Sequence, residues 1–520
     1  MNLNDVLLTP AKLYPEKTAV KHLGRRLTYG EFLRNVCRTA NALSRAGLKP
    51  GEAVCIVCRN SIEYLEAMFA ASFAGGVPAL INWRVSPSAA HDMVVRTGAR
   101  FIFISNTESA TADFFRENSF DGMRLITTGH DPSKPSDYEE FRAGCPDSFE
   151  PLPRRSEDAG LIMFTSGTTG KAKGVEISSR AISSQVTRCS QDGFWNGTDI
   201  FLCMSPLCHS ISVSVMALLY VGGELLLCPP EYIKDSVRVL DLMESERVTS
   251  TAMVPTVINR LVTYMDTHGL KNDTLRCIHY GASPMSRQLI ERCSKVFNCK
   301  FHQGYGMTET YGTVTTLLPE DHFDERHLRS VGRAVAGNEI KIIDDRDETL
   351  PVGATGEICI RTQSVMTRYI GMPKETAEVL RGGWYHTGDI GLLDCDGYLY
   401  LKDRKSDMII SGGENVFPQE VESCIMELKE DVAAVSVTGL PDEVWGERIV
   451  AAVVREPGSN ITAEQVAAHC ADRLGRFKKP KEIIFVDELP TNETGKVSRT
   501  LTAKLFEDCG GKNDREDRKQ

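Results

Sequence analysis

The sequence contains no apolar run approaching the length a membrane span requires. Its opening stretch, MNLNDVLLTPAKLYPEK, is too short in apolar residues and too early in charge for a secretory leader. A basic patch is also missing. Lysine and arginine are scattered, the formal charge is −10 and the pI is near 5.7, which argues against a nucleic-acid footprint and against a basic membrane surface. There is no disulfide framework: 16 cysteines are irregularly spaced, mostly inside apolar segments, as reduced core residues are. Cys55 and Cys58 have redox or metal spacing, yet no second pair completes a zinc site, and the run Ala-Val-Cys-Ile-Val-Cys marks both as core. Internal repeats and low-complexity tracts are absent. The expectation is a cytoplasmic protein that acts on small molecules, with no nucleic-acid partner and no integral membrane segment; a homodimer is left open.

What is present is enough chain, 520 residues at 42% hydrophobic, for a large multi-lobed body and a separate smaller domain. Thr28 and Glu31 form a capping-box pattern ahead of apolar residues at helical spacing (Phe32, Leu33, Val36, Ala40, Leu43), and Gly47 and Pro50 stop the helix. Strands at 53–57, 77–81 and 100–105 then alternate with helices at 62–73 and 87–97. Further strands are expected at 161–164, 200–204, 224–228, 249–254, 275–280 and 300–303. Between 330 and 402 short strands punctuated by glycine and proline suggest a β-rich subdomain. The fold class is α/β: a large N-terminal domain of stacked sheets over 1–403 and a small mobile α+β domain over 404–509. The charged tail 510–520 has too few apolar residues for a core and is expected to be disordered.

The loop Thr165-Ser166-Gly167-Thr168-Thr169-Gly170-Lys171-Ala172-Lys173-Gly174 has the composition of a phosphate cradle. Glycines let backbone approach an oligophosphate, while hydroxyls, amides and two lysines supply donors, each charge-assisted bond contributing roughly 1.5–3 kcal/mol. It is not a Walker A loop, because Ala172 follows Lys171. Further motifs follow in order: Tyr280-Gly281-Ala282-Ser283-Pro284, Gln303-Gly304-Tyr305-Gly306-Met307-Thr308-Glu309, and Trp384-Tyr385-His386-Thr387-Gly388-Asp389. Asp403-Arg404-Lys405-Ser406 leads into Ser411-Gly412-Gly413, and Pro490-Thr491-Asn492-Glu493-Thr494-Gly495-Lys496 closes the series.

This set, spread from Thr28 to Lys496, resembles the adenylate-forming superfamily of acyl-CoA synthetases, peptide-synthetase adenylation domains and firefly luciferase. The resemblance implies an AMP-forming acid:CoA ligase that uses ATP, Mg²⁺ and CoA on a small-molecule carboxylic acid. It implies that Gly281, Ala282, Ser283, Gly304, Gly306 and Met307 line the ATP site with the glycine-rich loop. Tyr305 would pack on adenine, Thr308 contact the α-phosphate and Glu309 hold Mg²⁺. Asp389 would take the ribose hydroxyls, and Arg404 the ribose or a phosphate. Lys496 would stabilise charge as the acid attacks phosphorus.

For the thiol, the resemblance implies Gly412 and Gly413 along the pantetheine path, Arg84 at the CoA phosphates, and Trp445 and Phe477 near its nucleotide, with Lys478 and Lys479 as added positive charge. His209, Ser214 and Tyr280 would border the acid. Residues 210–215 are small or apolar and offer no base to clamp a second carboxylate, which favours an aliphatic or aryl monocarboxylic acid of medium or greater size. One departure is Ser406, where the superfamily's hinge commonly has aspartate or lysine. Two other readings stay open: an enzyme loading an acyl carrier protein, and a non-catalytic acyl-nucleotide sensor.

Overall fold

A computed structural model describes residues 1–129, 131, 133–165, 172–281, 285–412, 414–491 and 497–516, with 415 and 508–516 described by backbone alone. The chain divides into two compact units, one of Met1–Ile340, Ile360–His386 and Gly397–Leu399, the other of Lys341–Cys359, Thr387–Asp396 and Tyr400–Gln520. The architecture is mixed α/β, with several sheets in the large N-terminal part and a small C-terminal domain.

Local sequence explains the early elements. Thr28 accepts from the Glu31 amide and Glu31 accepts from the Thr28 amide, so helix Tyr29–Arg45 starts on a closed capping box. Helix Ile62–Phe73 is mostly apolar and is buried throughout, Glu63 and Glu66 included.

In the first unit one sheet runs in the order Arg333–Ala334, Gly312–Leu317, Lys300–Met307, Cys277–Gly281, Ser250–Met253, Ile200–Cys203, Glu224–Leu227, Thr18–His22, Arg25–Thr28. A second runs Arg368–Tyr369, Lys173–Ser178, Ala159–Thr165, Val77–Leu80, Ala53–Val57, Phe101–Ser105, Arg124–Thr128. One core cluster draws on both, packing Val54, Ile56 and Phe103 with Phe201, Leu225 and Leu227 and with helices Ile62–Phe73 and Ile211–Tyr220. The second unit contains the sheet of Glu414–Val416, Ile409–Ser411, Gly446–Arg455, Val432–Asp442 and Glu482–Phe485, covered by helices Pro418–Ile425 and Ala463–Leu474. Among the described residues no helix is long and apolar enough to cross a membrane. Cys55 and Cys58 are buried and free, and desolvation raises both thiols to about 12, in keeping with a packing role.

Two expectations change. The strand expected at 300–303 extends through the glycine motif as Lys300–Met307, because it gains an antiparallel partner in Gly312–Leu317. Of the tail expected to be disordered from Gly510, residues 510–516 continue helix Arg499–Glu516 and 517–520 lie outside the described residues; once a helix is nucleated, each added residue gains a backbone bond.

A buried charge cluster shows how the first unit tolerates polar groups. Glu66, inside helix Ile62–Phe73, accepts from Asn35 at 2.8 Å, from the Tyr138 hydroxyl at 2.9 Å and from Arg142 at 3.0 Å. Desolvation still outweighs these partners and raises its carboxyl to about 7. Because the folded value lies above the unfolded one, this group's contribution to stability is complete below the ordinary carboxylate pKa and is lost as pH rises through 7. Urea unfolding should therefore show Glu66→Gln losing less stability than the parent between about pH 5 and pH 8, while Arg142→Met, which strands the carboxylate, costs about 3 kcal/mol at the upper end.

Candidate functional site

Strands Ile200–Cys203, Ser250–Met253, Cys277–Gly281 and Lys300–Met307 are successive parallel neighbours. Their carboxyl ends therefore share one edge of the sheet, where ligands of open α/β sheets bind. Gly281 stands opposite Gly304, and Tyr280 opposite Gln303, so two motifs distant in sequence lie side by side. At Gly306 a Cβ would overlap the carbonyl oxygen of Gly312, which is why the strand can turn there only with glycine. Tyr305 and Met307 are half-buried and Gly306 is exposed. Thr308 and Glu309 follow in a single 3₁₀ turn, Thr308–Thr310, closed by Tyr311 in the left-handed region at φ 46°.

Thr165 and Lys173 face each other across antiparallel strands, so the glycine-rich stretch is a hairpin connection and not a strand-to-helix loop. Its residues 166–171 lie outside the described residues, as do Ala282 and Ser283. Beyond it, Arg96 donates to the Ala172 carbonyl at 2.6 Å.

The residue that ties these motifs together is Tyr369. Its hydroxyl donates to Glu309 Oε1 at 2.8 Å, Lys173 Nζ lies 4.8 Å over its ring, and the Glu309 carbonyl accepts from Met366 N at 2.7 Å. Burial, reinforced by the Glu309 charge, raises the phenol well above its ordinary value, so it remains a donor at any working pH. Sequence reasoning missed Tyr369. It lies 60 residues from Glu309, and no local pattern marks a phenol for a distant carboxylate.

Among the residues expected to border the acid, His209 is half-buried in the turn that follows Ile200–Cys203, with its amide donating to Pro206 O at 3.1 Å. Ser214 is half-buried within helix Ile211–Tyr220, most of which is buried. Tyr280 belongs to the core cluster under helices Pro255–His268 and Arg287–Val296. His322 Nδ1 lies 2.7 Å from the Leu318 carbonyl, which can only accept; Nε2 is thereby left to take the Tyr280 hydroxyl at 2.9 Å. Any part Tyr280 takes in an acid pocket falls to its ring. Arg84 lies 4.5 Å over the Trp83 ring, and Arg59, paired with Glu108, lies 4.3 Å from the same ring.

Within the second unit Arg404 Nε and Asp389 Oδ1 are 3.4 Å apart, so the two ribose candidates are neighbours. Gly412, at φ 63°, donates its amide to Trp445 O at 2.8 Å, and a Cβ there would press on the indole at 3.0 Å. Lys481 Nζ lies 4.0 Å over that indole. Phe477 is exposed, and Lys478 is held by Glu420 at 2.6 Å. Gly413 and Lys496 lie outside the described residues; Thr491 and Val497, which flank the lysine segment, form an antiparallel bridge. Arg499 bonds Asp403 at 2.6 Å, Asp407 at 3.0 Å and Glu422 at 2.9 Å.

A family profile described as AMP-binding enzyme matches residues 8–370, and one described as AMP-binding enzyme C-terminal domain matches 420–496. The chain is 32% identical over 492 residues to the fatty acid–[acyl-carrier-protein] ligase ScoC of Streptomyces coeruleorubidus, covering 93% of this chain and 92% of that protein. It is 33% identical over 498 residues to a feruloyl-CoA synthase of Amycolatopsis sp, covering 95% and 97%. Its fold matches ATP-bound MatB from Rhodopseudomonas palustris with a TM-score of 0.86 at 28% identity, over 98% of this chain and all of that one. Matched by the family profile over most of its length, the chain belongs to the AMP-binding enzymes, as a member of the ATP-dependent, adenylate-forming acid:CoA ligase family.

Proposed function

We propose that this enzyme condenses a fatty or aryl monocarboxylic acid of medium or greater size with ATP to give the acyl-adenylate and diphosphate, then transfers the acyl group to the thiol of CoA. The observation that carries the reading is the Tyr369 contact, which brings the start of strand Lys173–Ser178 and the Gln303–Glu309 motif to one carboxylate. A carboxylate resists thiol attack because its carbon is electron-rich and oxide is a very poor leaving group. Joining it to AMP removes both obstacles.

Each residue has a part suited to its chemistry. Lys173 and the hairpin segment 165–171 offer donors to the triphosphate, Thr308 offers a hydroxyl to the α-phosphate, and the exposed backbone at Gly306 leaves room for the nucleotide beside Tyr305. Among the described residues no three His, Cys, Asp or Glu side chains gather to hold a metal. One carboxylate with phosphate and water oxygens is nevertheless a donor set that Mg²⁺ accepts, so Glu309 fits that ion and would hold it. Bound there, it would neutralise charge on the phosphates. Lys496 serves the attack of the acid oxygen on the α-phosphorus, and Gly412 and Gly413 serve the arriving pantetheine. Asp389 and Arg404 take the ribose; Trp445, Phe477 and Arg84 take the rest of CoA. His209 and Ser214 border the acid.

A carrier-protein thiol is the second reading, favoured by the likeness to ScoC, whose name states that acceptor.

Diphosphate exchange into ATP, driven by a panel of acids, tests the first half. Medium or long fatty acids or hydroxycinnamates should support it, and acetate, amino acids and dicarboxylates should not; exchange with none of the acids removes the proposal. Lys496→Ala should lower exchange by about 10²–10³-fold while sparing thiolysis of supplied acyl-adenylate, and equal loss in both halves would refute that assignment. Tyr369→Phe, which deletes one charge-assisted bond, should slow exchange about tenfold and raise the Mg²⁺ concentration needed for half-maximal rate, with calorimetry showing weaker Mg·ATP binding.

A further inference from the structure

The turn Ser205–His209 lies between strand Ile200–Cys203 and helix Ile211–Tyr220, and a side chain distant in sequence holds its backbone. Asn60 Nδ2 donates to Ser205 O at 2.8 Å, and Leu207 N donates to Asn60 Oδ1 at 2.8 Å. A carbonyl can only accept and a backbone amide can only donate, so the orientation of this amide is fixed by its partners. The two bonds reproduce, with a side chain, the paired exchange that a neighbouring strand would make.

Asn60 is itself immobilised. It is buried between strand Ala53–Val57 and helix Ile62–Phe73, whose N-cap is the next residue, Ser61. Before it, the Arg59 amide donates to Ser105 Oγ at 2.9 Å. On the other side Leu207 and Cys208 are buried in the main core cluster, and the Cys203 thiol also reaches Ser205 O at 3.4 Å. The turn is thus pinned by its side chains below and by Asn60 along its backbone. His209 is the first residue beyond the pin, and the Ser212 amide donating to its carbonyl at 3.0 Å hands the geometry on to helix Ile211–Tyr220, which carries Ser214.

We infer that Asn60 is a positioning residue for the carboxylic acid: by dictating the path of Ser205–His209 it sets where His209 stands against the substrate, without touching that substrate itself. The inference rests on the reading of His209 as an acid contact. Asn60→Asp keeps the acceptor for Leu207 N but sets a carboxylate oxygen against the Ser205 carbonyl; Asn60→Ser removes both bonds with little bulk and serves if the aspartate variant does not fold.

Diphosphate exchange, driven by whichever acid the parent enzyme turns over best, gives the readout. Either variant should raise the acid KM about tenfold, since a small misplacement beside a reacting group is costly, while the ATP KM stays within about twofold. In the His209→Ala background the same substitution should change the acid KM by less than about twofold, because its route of action is gone. The proposal is overturned if both KM values move together, if neither moves, or if the full effect persists without the His209 side chain. Should His209→Ala alone leave the acid KM unaltered, both the reading of His209 and the role of Asn60 fall, a signature that none of the other outcomes shares.

Discussion

Parallel pairing imposes a common edge. Because Ile200–Cys203, Ser250–Met253, Cys277–Gly281 and Lys300–Met307 bond to one another in the same direction, four chain segments release their loops toward one rim. That single constraint gathers the His209 turn, the Gly281 end and the Thr308–Glu309 turn without any of them needing to attract the others. What remains for side chains is fine placement.

That placement is done by long-range polar contacts. Tyr369 reaches Glu309 from a two-residue strand that pairs with Lys173–Ser178, so the carboxylate is oriented by the element that carries Lys173. Asn60 reaches the Ser205–His209 turn from the segment that joins strand Ala53–Val57 to helix Ile62–Phe73. In both cases an uncharged side chain distant in sequence steadies a short turn, which is how a site built on loops keeps its geometry.

Periodicity and caps made the first hundred residues legible: the Thr28 capping box, the mostly apolar helix Ile62–Phe73 and the strand Ala53–Val57 each follow from local residue order. The hairpin nature of the stretch after Thr165 was not legible, because glycine-rich composition is the same whether the next element is a strand or a helix. Strand Lys300–Met307 outran its expected end because glycines lower strand propensity, and only the antiparallel partner Gly312–Leu317 offsets that loss. The candidate residues at 165, 173, 304–309, 389 and 404 could be named from motifs, whereas Tyr369 could not, since a hydrogen bond across 60 residues leaves no trace in spacing.

The contacts of Arg499 bear on how the chain behaves between Asp403 and Asp407. One guanidinium spans both carboxylates, on either side of Arg404, Lys405 and Ser406. Separating either carboxylate from the guanidinium would cost a charge-assisted bond of roughly 1.5–3 kcal/mol. Arg404, Lys405 and Ser406 thus lie between two carboxylates that share one cation, and the course of the segment is tied to the helix that supplies it.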